Sequence, residues 1–259
     1  MKISIVAPMF NESANMENTL AAIKTEMAKH PDWDYEMIFV NDGSTDDTWT
    51  KGKDLEKKEE QLTVIGYQTH QGRGMALRIG FSEASGNVIA TIDFDLSYNP
   101  SHITKMVETL RDNPSVDVVL ASAFMPGGQT INVPPFRLWI SRMANFLCQY
   151  AFKQKIYTST CVVRAYRKKV LDNLTLESTD KVIHLEIISK ALDTSYKIKE
   201  IPAILSVRKT GKAKFKLVAS SISHLKFLFK QKPILVTGIL LFMVLFVCLL
   251  VMGIIFLFQ

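Results

Sequence analysis

Apolar runs alternate with amphipathic segments along the first two hundred residues. Runs rich in Val and Ile, namely "ISIVAP", "YEMIFVN", "LTVIGY", "NVIATID" and "VDVVLAS", predict strands. Segments with helical spacing follow them, among them "LAAIKTEM", "GMALRIGFSEA", "ITKMVETLRD" and a long helix near Pro135–Phe152. Strands that are apolar on both faces are typical of a mostly parallel sheet. The pattern therefore predicts an α/β domain over residues 1–208, with helices on both faces of its sheet.

The pattern changes after residue 208. Residues 209–232 mix lysines with apolar side chains at helical spacing, which predicts a basic amphipathic helix lying in a membrane interface. A solvated helix packed on the domain is the alternative. Residues 233–259 include a 25-residue run without charge, which predicts one transmembrane helix. This helix is either a C-terminal anchor or the first span of a longer parent protein, and oligomerisation or a partner membrane protein stays open.

The net charge of +6 comes largely from lysines beside the apolar run. Lysines in that position are typical of a cytoplasmic flank next to anionic lipid. Nucleic-acid binding is disfavoured, because no aromatic stacking residues accompany these lysines. We therefore expect a membrane protein, anchored at its C-terminus, with its folded domain in the cytoplasm. The cysteines Cys148, Cys161 and Cys248 lack the spacing of a disulfide framework or a zinc site.

Acidic residues stand where the predicted strands end. Asp42 begins "DGSTDDT", and Asp93 and Asp95 form "DFD" after an apolar strand. The carboxyl ends of parallel strands open on one crevice, so these side chains should converge there. Two carboxylates at the mouth of a buried strand favour a bound cation, and hard oxygen ligands suit Mg²⁺ or Mn²⁺. Asp46 and Asp47 are interpreted as caps of the next helix.

Seven segments, in order along the chain, carry a resemblance to a known family. They are "VAPMFNE", "VNDGSTDDT", "HQGRGMALRIGFSEASG", "DFD", "SRMAN", "RAYRKKVL" and "RKTGKAK". The sequence resembles glycosyltransferase family 2, and within it the polyprenyl-phosphate sugar synthases of the dolichyl-phosphate mannose synthase type. The resemblance implies a GT-A fold, which is Rossmann-like, together with a nucleotide-sugar donor and a divalent metal, Mn²⁺ or Mg²⁺.

The resemblance also implies roles for individual residues. On the donor side, Asp42 would bind the nucleobase, Pro8 and Glu12 would line its pocket, Arg73 would meet the diphosphate, and Asp93, Asp95 and Ser97 would hold the metal. On the acceptor side, Arg137, Ser141, Arg142, Arg164 and Arg208 would bind the lipid phosphate, while Glu186 would orient an arginine. Asp95, Arg137, Ser141 and Arg208 form the expected catalytic set.

Three departures from the family pattern affect these roles. Ser97 stands where a glutamine is frequent, Ala123 stands where an arginine is frequent, and "TSTCVVR" lacks the usual aspartate and glycine. The departures bear on donor and acceptor identity rather than on the fold.

The implied acceptor decides which chemistry is needed. A phosphate monoester is largely ionised at neutral pH, so it can attack the sugar without a general base. The expectation is a metal-dependent inverting transfer of a hexose from a GDP- or UDP-sugar to a polyprenyl (dolichyl or undecaprenyl) phosphate at the cytoplasmic membrane face. One alternative is a hydroxyl acceptor, which would need a base such as Glu186 or Asp180. Another is a catalytically weak membrane scaffold.

Overall fold

The structure is a computed structural model that describes residues 1–149, 152, 154–207, 223, 226–230, 233 and 237. The strands in this part of the chain are β1 (Lys2–Met9), β2 (Asp34–Asp42), β3 (Leu62–Tyr67), β4 (Val88–Thr91), β5 (Val118–Ser122), β6 (Gln129–Ile131), β7 (Arg164–Arg167), β8 (Ile198–Pro202) and β9 (Ile204–Ser206). The helices are α1 (Met16–Met27), α2 (Thr48–Glu56), α3 (Arg73–Glu83), α4 (Ser101–Asp112), α5 (Pro135–Gln149), α6 (Lys168–Asn173) and α7 (Ile183–Asp193).

Seven strands form one sheet in the order β3-β2-β1-β4-β7-β5-β8. Every neighbouring pair is parallel except the two that involve β7, which runs antiparallel to β4 and β5. A second, two-stranded sheet pairs β6 with β9 in parallel. The predicted mostly parallel sheet is thus confirmed.

Alternate residues of the strands face two separate layers of helices. In β1, Ile3 and Ile5 belong to the hydrophobic core that includes residues of α1 and α4, whereas Val6 belongs to the core built with α3 and α7. Residues of β2 divide in the same way, with Phe39 in the first core and Ile38 in the second. Helices therefore cover both faces, as the near-continuous apolar strands predict.

The chain divides into two compact units, Met1–Lys214 and Phe215–Gln259. The predicted interfacial helix over 209–232 and the predicted transmembrane helix over 233–259 lie outside the described residues, apart from 223, 226–230, 233 and 237. Within the described residues, no helix combines the length and the apolar character needed to cross a bilayer.

Candidate functional site

The loops that follow β1 and β2 interlock at the carboxyl edge of the sheet. The Asn11 amide donates a 2.8 Å hydrogen bond to Ser44 Oγ, and the Thr45 amide donates one of 2.7 Å to Asn11 Oδ1. The Glu12 amide donates to Thr48 Oγ1 at 2.7 Å. Asn11 has a φ of 52°, a left-handed conformation that asparagine tolerates better than most residues. The two polar segments thus converge, as their positions after neighbouring parallel strands predict.

Pro8 and Glu12 belong to this interlocked region. Pro8 lies near the end of β1, opposite Val40 of β2. The Glu12 side chain is buried and accepts a 2.6 Å hydrogen bond from Asn15 Nδ2, which ties it to the start of α1. Their predicted part in the nucleotide pocket stays a prediction. Asp46 lies one residue before the N-cap of α2, and its Oδ1 accepts a 3.0 Å hydrogen bond from the amide of Thr48, the first residue of the helix. The predicted capping role of Asp47 is wrong, because Asp47 holds the N-cap position but its side chain accepts no capping hydrogen bond.

Asp42 fixes the segment that leads into α3. It is 3% exposed, and its Oδ1 accepts hydrogen bonds from the Tyr67 hydroxyl at 2.7 Å and from the amides of Gln71 and Gly72 at 2.9 Å each. Burial, together with the hydrogen bond to this carboxylate, raises the pKa of Tyr67. Asp42 Oδ1 therefore anchors the loop. The predicted contact of Asp42 with a nucleobase would use Oδ2, and it stays a prediction.

An aromatic pair lies beside that second oxygen. His70 Nδ1 is 3.0 Å from Asp42 Oδ2, and the His70 ring lies 4.2 Å from the Phe10 ring at an angle of 31°. The imidazole is half-exposed. A ring pair at the mouth of a crevice suits the stacking of a planar ligand. The sequence analysis assigned no role to either residue, although both occur in the segments that carry the family resemblance.

Arg73 and Asp93 form an ion pair at the centre of the crevice. Arg73 is the first residue of α3, and its Nη2 lies 3.1 Å from Asp93 Oδ1. Their side chains are 34% and 18% exposed, so the pair is accessible from solvent. The residue predicted to meet a diphosphate and a residue predicted to hold a metal are therefore adjacent. A bound anion and a bound cation would each compete with this pair.

The "DFD" segment presents its two carboxylates around a buried ring. Phe94 packs edge-on against Phe39 with centroids 4.9 Å apart, while Asp93 and Asp95 stay partly exposed. The Ser97 amide donates a 3.0 Å hydrogen bond to Asp95 Oδ1 and so orients that carboxylate.

The oxygens of Asp93, Asp95 and Ser97 fit a hard divalent cation. Among the residues that the structure describes, no cluster of three or more His, Cys, Asp or Glu side chains could hold a metal. A metal bound here would therefore take one or two carboxylates and complete its shell with water and ligand phosphates, which is common for Mg²⁺.

The segment of residues 177–182 packs against the first turn of α3. The Met75 amide donates a 3.0 Å hydrogen bond to the Thr179 carbonyl. A Cβ at Gly74 would lie 2.6 Å from the carbonyl oxygens of Ser178 and Asp180, so only glycine permits this approach. The segment thereby reaches the same crevice as Arg73, although it lies more than 100 residues later in the chain.

Lys181 is a member of the crevice that the sequence analysis missed. Its side chain is partly buried, and its electrostatic neighbours are Arg73, Arg137, Asp93 and Asp180. Burial, followed by repulsion from Arg73, lowers its pKa to about 8. No motif marks this lysine, because its position depends on how the 177–182 segment packs on α3.

Glu186 supports that segment from α7. It is 5% exposed, and its oxygens accept hydrogen bonds from the amides of Glu177 and Ser178 at 2.9 Å each and from Lys190 Nζ at 2.6 Å. Burial alone would raise its pKa, but these hydrogen bonds hold the pKa below its usual value. Among the described residues, the glutamate orients the backbone at the start of the 177–182 segment, and its predicted role of orienting an arginine stays a prediction.

The predicted acceptor role of Arg164 is wrong. Its side chain is fully buried, and its guanidinium donates to the carbonyls of Cys161 at 2.7 Å, His184 at 2.8 Å and Ser159 at 2.5 Å. A buried guanidinium needs this many acceptors because its donors have lost their water. Arg164 therefore holds β7, the 159–161 loop and α7 together, out of reach of a lipid phosphate.

The remaining acceptor residues lie on α5. Arg137 and Ser141 are one helical turn apart, which places them on the same side of the helix. Arg137 is exposed and Ser141 is partly buried. The Arg142 guanidinium lies 5.8 Å from the centroid of the Phe124 ring, a cation–π arrangement. Arg208 lies outside the described residues, so the predicted convergence of these residues on a lipid phosphate stays a prediction.

The same helix exposes a row of large apolar side chains that the sequence analysis missed. Phe136, Trp139, Met143 and Phe146 are 69%, 59%, 42% and 52% exposed, and their spacing of three, four and three residues places them on one face. The Phe136 and Trp139 rings stack with centroids 6.5 Å apart. Large exposed apolar surfaces of this kind mark contacts with membranes or other proteins.

Comparison with known proteins identifies the family. The sequence model described as "Glycosyl transferase family 2" matches residues 4–175. The dolichol-phosphate mannosyltransferase of Pyrococcus furiosus is 30% identical over 218 residues, which are 83% of this chain and 60% of that protein. The polyprenol monophosphomannose synthase of Mycolicibacterium smegmatis is 24% identical over 81% of this chain and 79% of its own length. The chain thus spans about 60% of the length of the Pyrococcus relative.

Solved structures share the fold at low sequence identity. Glucosyl-3-phosphoglycerate synthase from Mycobacterium tuberculosis, in complex with Mn²⁺, UDP and phosphoglyceric acid, matches with a TM-score of 0.66 and 18% identity, covering 89% of this chain and 78% of that one. A mannosyltransferase from Pyrobaculum calidifontis, in complex with GDP-Man and Mn²⁺, matches with a TM-score of 0.57 and 18% identity, covering 86% and 60%. The α/β architecture is therefore GT-A-like, and the chain belongs to glycosyltransferase family 2.

Proposed function

We propose that the chain is a metal-dependent inverting glycosyltransferase that transfers a hexose from a GDP- or UDP-sugar to a polyprenyl phosphate. The observation that carries the proposal is the Arg73–Asp93 ion pair beside Asp95 at the carboxyl edge of the sheet. It puts a cation suited to a diphosphate next to carboxylates suited to a divalent metal. The names of the relatives support the lipid-phosphate acceptor, since they transfer sugars to dolichol phosphate and polyprenol phosphate.

The donor end of the reaction would use the groups around the ion pair. Asp42 holds the loop that leads into α3, and the Phe10–His70 ring pair offers a wall for the nucleobase. Asp95, together with Asp93 or Ser97, would hold Mn²⁺ or Mg²⁺. When bound, that ion supplies neutralisation of the charge that develops on the diphosphate as the sugar leaves.

The acceptor end of the reaction would need positioning rather than proton transfer. A phosphate monoester carries its nucleophilic oxygen already ionised, so displacement at the anomeric carbon can proceed with inversion. Arg137, Ser141, Arg142 and Arg208 are the proposed phosphate-binding groups. The hydroxyl-acceptor alternative loses support at Glu186, because that carboxylate is buried and bound to two backbone amides and a lysine.

Two features support a location at the cytoplasmic face of a membrane. The exposed apolar face of α5 carries Trp139 and Phe136, side chains that favour a lipid interface. The sequence after residue 208 is rich in lysine and then uncharged, which supports a membrane anchor over 233–259. Arg137 lies on the same helix, so a lipid phosphate bound there would lie close to the interface.

The test is a transfer assay with purified full-length chain in detergent. Labelled UDP- and GDP-sugars are incubated with Mn²⁺ and a polyprenyl phosphate, and the organic phase is counted. Asp95→Asn is expected to abolish the product, whereas Asp32→Asn should leave it unchanged, because Asp32 is exposed and precedes the amino end of β2, at the edge of the sheet opposite the crevice. Donor hydrolysis without an organic-phase product, for every donor tried, would overturn the lipid-phosphate proposal.

A further inference from the structure

The segment of residues 177–182 is held rigidly against the donor crevice. On one side, Thr179 accepts a hydrogen bond from the Met75 amide at 3.0 Å, and the carbonyls of Ser178 and Asp180 fill the space that a Gly74 side chain would need. Contacts this close leave the segment little room to shift relative to the first turn of α3. The backbone that carries Lys181 is therefore fixed next to the helical turn that begins at Arg73.

On the other side, α7 fixes the same segment. The buried Glu186 carboxylate binds the amides of Glu177 and Ser178, and Arg78 of α3 donates to the Glu177 carbonyl at 3.1 Å. The Asp180 carboxylate accepts a 2.9 Å hydrogen bond from the amide of Val182, and this bond closes the turn around Lys181. The lysine thus stands on a segment that hydrogen bonds fix at both ends.

The charges around Lys181 favour an anionic ligand. Arg73 and Arg137 act on it as neighbouring positive charges, and Asp93 and Asp180 act as neighbouring negative charges. Asp93 already neutralises Arg73 through their 3.1 Å ion pair. Lys181, Arg73 and Arg137 outnumber the two carboxylates, so this side of the crevice attracts a multiply charged anion.

We propose that Lys181 is a donor-binding residue that contacts the diphosphate of the nucleotide sugar together with Arg73. This inference rests on the proposed function and deepens it, because it assigns part of the charge neutralisation to the protein itself. As the acceptor phosphate oxygen bonds to the anomeric carbon, the bond from that carbon to the diphosphate breaks and its electron pair stays on the diphosphate. An ammonium beside that oxygen would stabilise the leaving group.

Glu186 then acts as a positioning residue for Lys181. Its carboxylate accepts hydrogen bonds from the amides of Glu177 and Ser178, four and three residues before the lysine. Glu186 would therefore act through the backbone that carries Lys181 and not by proton transfer.

The experiment measures nucleotide affinity without chemistry. Isothermal titration calorimetry of the full-length chain in detergent, with EDTA, compares UDP and GDP with UMP and GMP. A charge-assisted contact to phosphate changes an affinity by about 10- to 100-fold, so Lys181→Met should weaken binding of the preferred diphosphate by that factor. It should weaken the matching monophosphate much less, and Lys181→Arg should recover most of the loss. Lys199→Met, at an exposed lysine on β8, is the control and should bind as the wild type does.

Three outcomes would overturn the inference. The first is wild-type affinity of Lys181→Met for the diphosphate, and the second is an equal loss of affinity for the diphosphate and the monophosphate. The third is a loss of affinity that accompanies a drop in thermal stability, with the same drop in Lys181→Gln. The wild-type transfer assay separates this result from failure of the proposed function. If the wild type forms lipid product and Lys181→Met binds the diphosphate normally, only the role of Lys181 is overturned. If Lys181→Met loses diphosphate affinity and the wild type forms no lipid product, only the lipid-phosphate acceptor is overturned.

Discussion

Arg164 offers a quantitative test of the distinction between a structural arginine and a ligand-binding one. Arg164→Met keeps most of the side-chain length but removes the donors that bind the carbonyls of Cys161, His184 and Ser159. A hydrogen bond to a charged group contributes about 1.5–3 kcal/mol, and a buried acceptor left without a donor costs about 1–3 kcal/mol. Because the three bonds share one side chain, these values are not additive, and we expect a net loss of about 3–5 kcal/mol.

The assay is urea unfolding of the full-length chain in detergent, followed by circular dichroism. A loss of that size is a large share of the stability of an ordinary domain, which is about 5–15 kcal/mol, so the midpoint should fall clearly. Arg111→Met is the matched control, since Arg111 is exposed on α4 and its surface ion pair with Asp112 contributes little, so its midpoint should stay close to that of the wild type. An unchanged midpoint for Arg164→Met, with weaker binding of a polyprenyl phosphate, would refute the structural role and restore the acceptor role.

Two further predictions concern the crevice and the far end of the sheet. Gly74→Ala would place a Cβ 2.6 Å from the Asp180 carbonyl oxygen, so it should push the 177–182 segment away and weaken nucleotide binding in calorimetry; unchanged affinity would contradict the fixed packing. For Glu36, burial raises the pKa, but hydrogen bonds from Ser4 and Ser85 outweigh burial and lower the pKa to about 2. A folded-state pKa below the unfolded value gives stability that is present above about pH 4.5 and lost as the pH falls towards 2. Glu36→Gln should therefore lower the free energy of unfolding by about 3 kcal/mol at pH 7 and by much less near pH 2, whereas an equal loss at both pH values would contradict the carboxylate's role.

The sheet was largely predictable because parallel strands that are buried on both faces appear in the sequence as continuous apolar runs. β1 to β5 correspond to the five apolar runs, and the helices follow them. β7 is different, since it has four residues, two of them arginines, and pairs antiparallel between β4 and β5. That insertion depends on contacts far apart in sequence, which local periodicity does not encode.

Site residues were predictable where they lie at the ends of strands. Asp42, Asp93 and Arg73 meet in one crevice because the topology brings their loops together, as the motif order indicates. Arg164 misled the sequence interpretation because an arginine at the surface and one bound to three carbonyls look alike in sequence. Lys181 carries no local signal at all, since its place follows from packing between α3 and a segment that precedes α7.

A direct comparison of two acceptors decides whether the chain uses a lipid phosphate or a hydroxyl. The full-length chain, Mn²⁺ and its preferred labelled donor are given either a polyprenyl phosphate or the corresponding polyprenol. An organic-phase product is expected with the phosphate alone, and Asp95→Asn should abolish it. Transfer to the polyprenol at a comparable rate would show that the chain activates a hydroxyl, and it would contradict the proposed lipid-phosphate acceptor.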